Sequence, residues 1–176
     1  AKRTAEIVKG LRIFSRVDEM DVKKVDINEC IDSTLTLLRN QFGHKTDLDK
    51  HLENEVYAEC YPGKLNQVFM NIITNGLHAV DKKFGKNLGG KITISTQQDN
   101  DFVYIRISDN GIGMDEKTRE KIFEPFFTTK DVGEGTGLGL SIVYSIIESH
   151  NGKVVVSSEK GEGTEFYITL PKIQKT

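Results

Sequence analysis

Two glycine-rich segments on either side of an aromatic cluster constrain this chain more than any other feature of its sequence. The first is Asp109-Asn110-Gly111-Ile112-Gly113, the second covers residues 133–139 (GEGTGLG), and the cluster between them is 122–127 (IFEPFF). Apolar residues recur at helical spacing after the second segment, which predicts a loop leading into a helix. Unpaired N–H groups at a helix N-terminus favour an anion, and glycines let the backbone approach it. We therefore predict a phosphate-binding loop, with a mobile surface loop as the alternative.

The two best-known phosphate loops are excluded by the sequence. None of the glycine-lysine pairs, Gly63-Lys64, Gly85-Lys86 and Gly152-Lys153, is followed by serine or threonine, so there is no P-loop. Glu116 and Ile142 stand where the third glycine of a G-x-G-x-x-G motif would fall. A nucleotide, if one binds, must be held in another way.

The first glycine segment follows a predicted strand. Residues 102–108 alternate, with Val103, Ile105 and Ile107 on one face, and they place Asp109 at the strand end. An ionised carboxylate only accepts hydrogen bonds, so Asp109 suits the exocyclic amine of adenine. The alternative is that Asp-Asn-Gly forms an ordinary turn.

A predicted helix from Pro62 to about Lys82 carries a polar flank beside its apolar face. At 100° per residue, Asn71, Asn75 and His78 fall together on that flank. Asparagine is a poor helix former, so the pair indicates a role at the edge of the core. We predict that the Asn75 carbonyl oxygen binds Mg²⁺, and the alternative is a plain boundary with solvent.

Other elements follow from periodicity and capping residues. Residues 4–20 predict an amphipathic helix that needs a partner, either another helix or its own domain. Asn28 is the predicted N-cap of a helix through Gln41, and Asp115 is the predicted N-cap of a short helix. A last helix is predicted to reach His150. The predicted strands are 25–27, 45–52, 55–60, 91–98, 102–108, 153–158 and 164–170.

Composition sets the broad class. The 176 residues are 37% hydrophobic and 28% charged, as in a soluble domain, and the net charge of -2 gives no sign of a nucleic-acid surface. Cys30 and Cys60 are too few for a disulfide framework, which predicts reduced thiols and a cytoplasmic location. No apolar run is long enough to span a membrane. The chain starts inside a predicted helix, so we expect a fragment of a longer parent, and a membrane anchor in that parent is left open.

Five motifs in one order resemble a known family. They are Asn71-x-x-x-Asn75, Asp109-x-Gly111-x-Gly113, 123–127, Gly135-x-Gly137-x-Gly139 and Gly161-x-Gly163-Thr164. This set resembles the catalytic ATP-binding domain of sensor histidine kinases, in the GHKL superfamily, over about residues 25–171. The resemblance implies an α/β sandwich of the Bergerat type, a mixed sheet covered on one face by three helices. Residues 1–24 resemble the second helix of the dimerisation and phosphotransfer hairpin, which leaves 25–176 as the catalytic domain.

The resemblance also implies site residues and partners. Asn75 matches the magnesium ligand, Asp109 the adenine contact, and 128–134 a lid over ATP. Lys130 is the cation placed to meet a phosphate, and Asn71 would orient the γ-phosphate or the acceptor. The implied nucleotide-binding set is Asn71, Asn75, His78, Asp109, Gly111, Gly113, Met114, Thr129, Lys130, Gly135, Thr136, Gly137, Leu138, Gly139, Leu140 and Thr164. The implied partners are ATP or ADP, a phosphoacceptor helix, a response-regulator receiver domain and a second protomer of the parent.

Two departures and two alternatives accompany this resemblance. Gly76 stands where the family more often has alanine, and the acceptor histidine is missing, because all four histidines lie inside the ATP domain. Related ATPases have a glutamate at the position of Asn71 as a base for water, and asparagine cannot take that role. We therefore expect transfer to histidine. A hydrolase of the same fold and a non-catalytic nucleotide-binding module remain the alternatives.

Overall fold

The computed structural model describes residues 21–132 and 134–175, so the predicted helix 4–20 and Gly133 lie outside the described residues. The helices are α1 (Ile27–Phe42), α2 (Pro62–Phe84), α3 (Glu116–Lys121) and α4 (Gly139–Ser149). The strands are β1 (Lys23–Asp26), β2 (Thr46–Leu52), β3 (Tyr57–Cys60), β4 (Gly90–Gln98), β5 (Phe102–Asp109), β6 (Lys153–Glu159) and β7 (Gly163–Pro171).

Five strands form one mixed sheet in the order β2-β4-β5-β7-β6, and β1 pairs with β3 separately. Only the β2–β4 pair of the large sheet is parallel, while its other pairs are antiparallel. The register places Asp109 opposite Thr164 and Ile92. Three strands therefore meet where the first glycine segment begins.

Helices α1, α2 and α4 pack beside one another against the sheet, with α2 in the middle. The alternate sheet positions that face them are buried, and the helices bury the matching apolar stripe predicted from their period. On the other face Arg106 lies over the Tyr167 ring and pairs with Glu165. The α/β sandwich with one helix-covered face is thus confirmed. The buried residues of the large sheet include Ile92, Ile94, Thr96, Val103, Ile105, Ile107, Val154, Thr164, Phe166, Ile168 and Leu170.

The predicted N-cap of α1 was wrong by two residues. The Asp26 carboxylate caps the helix by accepting from the Asn28 N–H at 2.9 Å. Asn28 lies inside the first turn, where its side chain donates to the Glu53 carbonyl and accepts from the Thr96 hydroxyl. Asn28 therefore joins α1 to the sheet edge, a contact that local sequence does not reveal.

Two other boundaries, the start of β3 and the end of α2, differ from the predicted ones because of the backbone conformation there. Strand β3 begins at Tyr57 rather than residue 55, because Glu55 has a φ of 55°, which a strand does not tolerate. Helix α2 continues past Lys82 to Phe84 and stops at Gly85, whose φ is 56°.

Cys30 and Cys60 are buried and free, and burial raises the pKa of the Cys60 thiol to about 12. Within the described residues, no helix has both the length and the apolarity needed to cross a bilayer.

His150 joins the end of α4 to the start of α2. Its Nδ1 lies 2.7 Å from the Ile146 carbonyl oxygen, and its Nε2 lies 3.1 Å from the Tyr61 N–H. The ring is fully buried, so Nδ1 carries the proton and Nε2 accepts. Burial lowers the pKa of His150, although the Ile146 carbonyl opposes that shift. A proton on Nε2 would displace the Tyr61 N–H, which belongs to the N-cap residue of α2.

We predict that His150 makes the fold sensitive to acid. Its folded pKa lies below the unfolded value of about 6.5, so the stability it contributes is complete above that pH and is lost as pH falls below it. The change His150→Gln should lower the free energy of unfolding by roughly 1–3 kcal/mol at pH 7.5. The loss should shrink at pH 5.5. Urea unfolding at both pH values measures this, with His44→Gln, at an exposed position, as the control. An equal loss at both pH values would contradict the assignment.

Candidate functional site

Asp109 lies half-buried at the end of β5, with its carboxylate held by backbone groups. Its Oδ1 accepts from the Gly111 N–H at 2.8 Å. Burial raises the pKa of Asp109 to about 6, and this shift is opposed by the N–H groups of Gly111 and Thr164 and by the charge of Lys83. The carboxylate is therefore largely ionised at pH 7 and can accept a further hydrogen bond.

The carboxylate faces a cavity of about 230 Å³. The cavity lies between α2, the end of β5, the aromatic cluster and the start of α4. The residues lining it are Asn75, Gly76, His78, Ala79, Lys82, Asp109, Ile112, Gly113, Met114, Thr118, Ile122, Phe127, Thr128, Thr129, Lys130, Gly135, Thr136, Gly137, Gly139, Leu140, Thr164 and Phe166. The separate motifs of the sequence thus converge on one space.

The first glycine turn is clamped between α2 and the β6–β7 hairpin. A Cβ on Gly111 would come within 2.5 Å of the Ala79 carbonyl carbon. Gly113 has a φ of 61°, and a Cβ there would overlap the Glu159 carbonyl oxygen. These two positions therefore require glycine. Gly113 lines the cavity, whereas Gly111 is buried and is not among its lining residues.

Not every residue on the polar flank of α2 lines the cavity. Asn75, His78 and Lys82 line the cavity. Asn71 does not, because its Nδ2 donates to the Gly139 carbonyl at 3.0 Å and joins α2 to the first turn of α4. This contact leaves the Asn71 Oδ1 as the atom available to a ligand.

His78 stands between two cavities. It lines the first cavity and also a second one, of about 420 Å³, beside the C-terminal ends of α1 and α2. Its Nε2 is buried and has no hydrogen-bond partner among the described residues. Burial lowers the pKa of His78, and the charges of Lys130 and Lys82 lower it further. The lowered pKa favours the neutral ring, and the buried Nε2 remains an unused polar atom.

The segment that follows the aromatic cluster, together with the first two residues of α4, supplies most of the other predicted residues. Thr129, Lys130, Gly135, Thr136, Gly137, Gly139 and Leu140 line the cavity. Leu138 does not, because it is the N-cap residue of α4 and its N–H donates to the Thr136 hydroxyl. Lys130 also lines the second cavity, so this residue borders both.

Sequence reasoning missed several lining residues. Lys82 follows His78 at the helical spacing of four residues, a signal that was present in the sequence. Ile122 and Phe127 belong to the aromatic cluster, and Phe123 packs edge-on against Phe166 at 6.4 Å. Ile112 and Thr128 lie inside the first glycine segment and the predicted lid. The remaining residues, Gly76, Ala79, Thr118 and Phe166, reach the cavity through tertiary packing that no local pattern reveals.

Gly76 has a packing reason for its lack of a side chain. A Cβ there would lie 3.1 Å from Ile92 Cδ1 and 3.4 Å from Asp109 Oδ2. The first distance is tighter than ordinary van der Waals contact, so alanine would press on a fully buried isoleucine. Glycine lets α2 approach the sheet directly behind the Asp109 carboxylate.

Comparison with known proteins shows the family. Residues 60–174 match the model of the histidine kinase-, DNA gyrase B-, and HSP90-like ATPases. Sporulation kinase E of Bacillus subtilis is 35% identical over 97% of this chain, and the kinase AtoS of Escherichia coli is 36% identical over 94%. The chain spans only 22% and 26% of these two proteins.

A solved structure extends the likeness to the fold. The catalytic domain of the histidine kinase ThkA is 31% identical, has a TM-score of 0.76, and is matched over 88% of this chain and 99% of its own. The chain therefore belongs to the histidine kinase-, DNA gyrase B-, and HSP90-like ATPase family, as a catalytic ATP-binding domain of the sensor histidine kinase type.

Proposed function

We propose that this chain is the part of a sensor histidine kinase that binds Mg²⁺·ATP and transfers its γ-phosphoryl group to a histidine on a dimerisation hairpin. The observation that carries this proposal is the single cavity that brings together Asp109, Asn75 and Lys130. The Asp109 carboxylate suits the amine of adenine, and the Asn75 amide suits a hard cation. The Lys130 ammonium group suits a phosphate.

The adenine is proposed to lie at the Asp109 end of the cavity. The carboxylate accepts from its exocyclic amine, and the nearby Gly113, Ile112 and Thr164 provide backbone and apolar contact. Phosphates then extend toward Lys130 and the 135–139 turn, where N–H groups precede and begin α4.

Magnesium fits the polar donors that α2 presents to the cavity. Within the described residues there is no cluster of three acidic or histidine ligands. Mg²⁺ commonly takes one or two protein oxygens and otherwise uses water and phosphate oxygens, so the Asn75 carbonyl oxygen suffices as the protein ligand. The unpartnered His78 Nε2 is positioned to bond a ligand or a bound water at the cavity. When bound, the ion would neutralise phosphate charge.

The transfer needs alignment more than a base. A neutral imidazole nitrogen attacks the γ-phosphorus and forms a nitrogen–phosphorus bond. The bond between the γ-phosphorus and the oxygen that bridges it to the β-phosphate breaks, and ADP leaves with that oxygen. Lys130 and the N–H groups of the 135–139 turn stabilise the charge that develops. The Asn71 Oδ1 can accept the remaining N–H of the attacking imidazole, because its Nδ2 is already bound to Gly139.

Hydrolysis is the second candidate. Asp109 is the only carboxylate among the described cavity residues, and it lies at the proposed adenine end, away from an attacking water. The neutral His78 ring is the observation that favours hydrolysis, since an imidazole can act as a general base. Asparagine at position 71 disfavours it.

The wider assembly follows from the proposed activity. We propose that the partners are an acceptor helix in its own parent, a response-regulator receiver domain, and a second protomer of the parent. The buried free thiols of Cys30 and Cys60 suit a reducing cytoplasm.

Removing the Asp109 charge should weaken nucleotide binding without lowering the stability of the fold. Asp109→Asn should weaken nucleotide binding by about 10- to 100-fold, as expected for the loss of a charge-assisted hydrogen bond. Because the folded pKa is raised, the buried charge destabilises the fold at pH 7, so the variant should unfold at the same or higher urea concentration. Wild-type affinity should also fall as pH drops below about 6. Calorimetric titration with ADP measures the affinity of the variant and the pH dependence of the wild type, and urea unfolding measures the stability.

The control for this experiment is Asp101→Asn, at an exposed position in the turn before β5. It should bind ADP like the wild type. Unchanged affinity in Asp109→Asn would remove the adenine assignment, whatever the stability result.

The magnesium assignment predicts a thermodynamic coupling that depends on Asn75. In the wild type, Mg²⁺ should strengthen binding of a non-hydrolysable ATP analogue, whereas in Asn75→Ala the affinities with and without Mg²⁺ should converge. Titration under both conditions measures the coupling, and Asn100→Ala in the exposed β4–β5 turn is the control. A full Mg²⁺ effect in Asn75→Ala would place the ion elsewhere.

The reaction itself is tested by adding a hairpin that carries an acceptor histidine, with labelled ATP and Mg²⁺. We expect acid-labile phosphoprotein to exceed free phosphate. Phosphate release without phosphoprotein would favour the hydrolase, and ATP binding without either product would favour a non-catalytic module.

A further inference from the structure

Lys83 bridges two loops that border the nucleotide cavity. Its Nζ donates to the Asn110 carbonyl at 3.0 Å and to the Gly161 carbonyl at 2.7 Å. It is not among the residues that line either cavity, in contrast to Lys82 beside it. One ammonium group on α2 thus joins the first glycine turn to the β6–β7 hairpin.

These loops already touch through their backbones. The Gly161 N–H donates to the Ile112 carbonyl at 2.6 Å, and the Ile112 N–H donates to the Ala79 carbonyl at 3.2 Å. Ile112 and Gly113 line the cavity at the proposed adenine end. A shift of the turn relative to the hairpin would therefore move the surface against which the base lies.

The chemistry of the contact suits a positioning role. Two carbonyl oxygens that converge on one point repel each other unless a donor lies between them, and a lysine ammonium has three donors. Lys83 is exposed, so water can replace both bonds in a variant. Its loss should change the position of the turn more than the stability of the fold. Lys83 also carries the charge that favours the ionised form of Asp109.

We propose that Lys83 is a positioning residue for nucleotide binding, holding the 109–113 turn against the β6–β7 hairpin so that the adenine contacts are formed before the ligand arrives. This inference rests on the proposed function. It predicts a loss confined to the base side of the ligand, because Lys83 acts on the turn and not on the phosphates.

The test compares three variants by titration with AMP and with a non-hydrolysable ATP analogue. Lys83→Met should weaken both ligands by the same factor, about tenfold, roughly the effect of one charge-assisted hydrogen bond. Lys83→Arg should recover most of the affinity, because a guanidinium also donates to two carbonyls. Lys86→Met, on the exposed connection after α2, is the matched control and should bind like the wild type.

A second comparison separates the base from the phosphates. Lys130→Met should weaken the ATP analogue more than AMP, unlike Lys83→Met. Urea midpoints of Lys83→Met and the wild type should agree closely. The inference fails if Lys83→Met binds both ligands normally, if it weakens only the ATP analogue, or if arginine restores nothing. If the wild type itself binds neither ligand, the proposed function fails instead.

Discussion

The burial of one carboxylate, that of Asp109, is the constraint around which the cavity is arranged. Moving a charge away from water is unfavourable, and here burial raises its pKa to about 6. The N–H groups of Gly111 and Thr164 and the ammonium of Lys83 offset part of that penalty. Each of these groups comes from a different element, so the ionised site exists only when β5, β7 and α2 are assembled.

The same assembly explains the close contacts behind the site. The absent side chain of Gly76 lets α2 lie against Ile92 and Asp109, and the absent side chain of Gly111 lets the turn lie against Ala79. Helix α2 therefore serves two purposes along its length. Its apolar face forms the centre of the core, while Asn75, His78 and Lys82 on its flank line the cavity. A rigid helix with many core contacts keeps those polar groups in place without a loop.

The charges of the cavity indicate which chemistry it favours. Lys82 and Lys130 line the cavity beside the start of α4, and Asp109 is the only carboxylate that lines it among the described residues. An acceptor that already has a lone pair can react there once it is aligned, whereas water needs a base. His78 is the group that could serve water as a base, since its Nε2 has no partner among the described residues. Its position between the two cavities also places it where Lys130 acts on its protonation.

The residue sequence by itself determined the helices, the strands and the order of the ligand-binding motifs, because periodic burial and capping are local properties of the chain. It predicted Asp109 at a strand end, Asn75 and His78 on one flank, and the Asp115 cap. It could not show that Asp26 rather than Asn28 caps α1, or that Asn71 binds α4 and Gly111 packs on Ala79. Those roles, like the contact from Lys83 to two distant carbonyls, depend on segments far apart in the chain. Only the tertiary structure brings them within hydrogen-bonding distance, since packing of α2 against the sheet sets the separation between them.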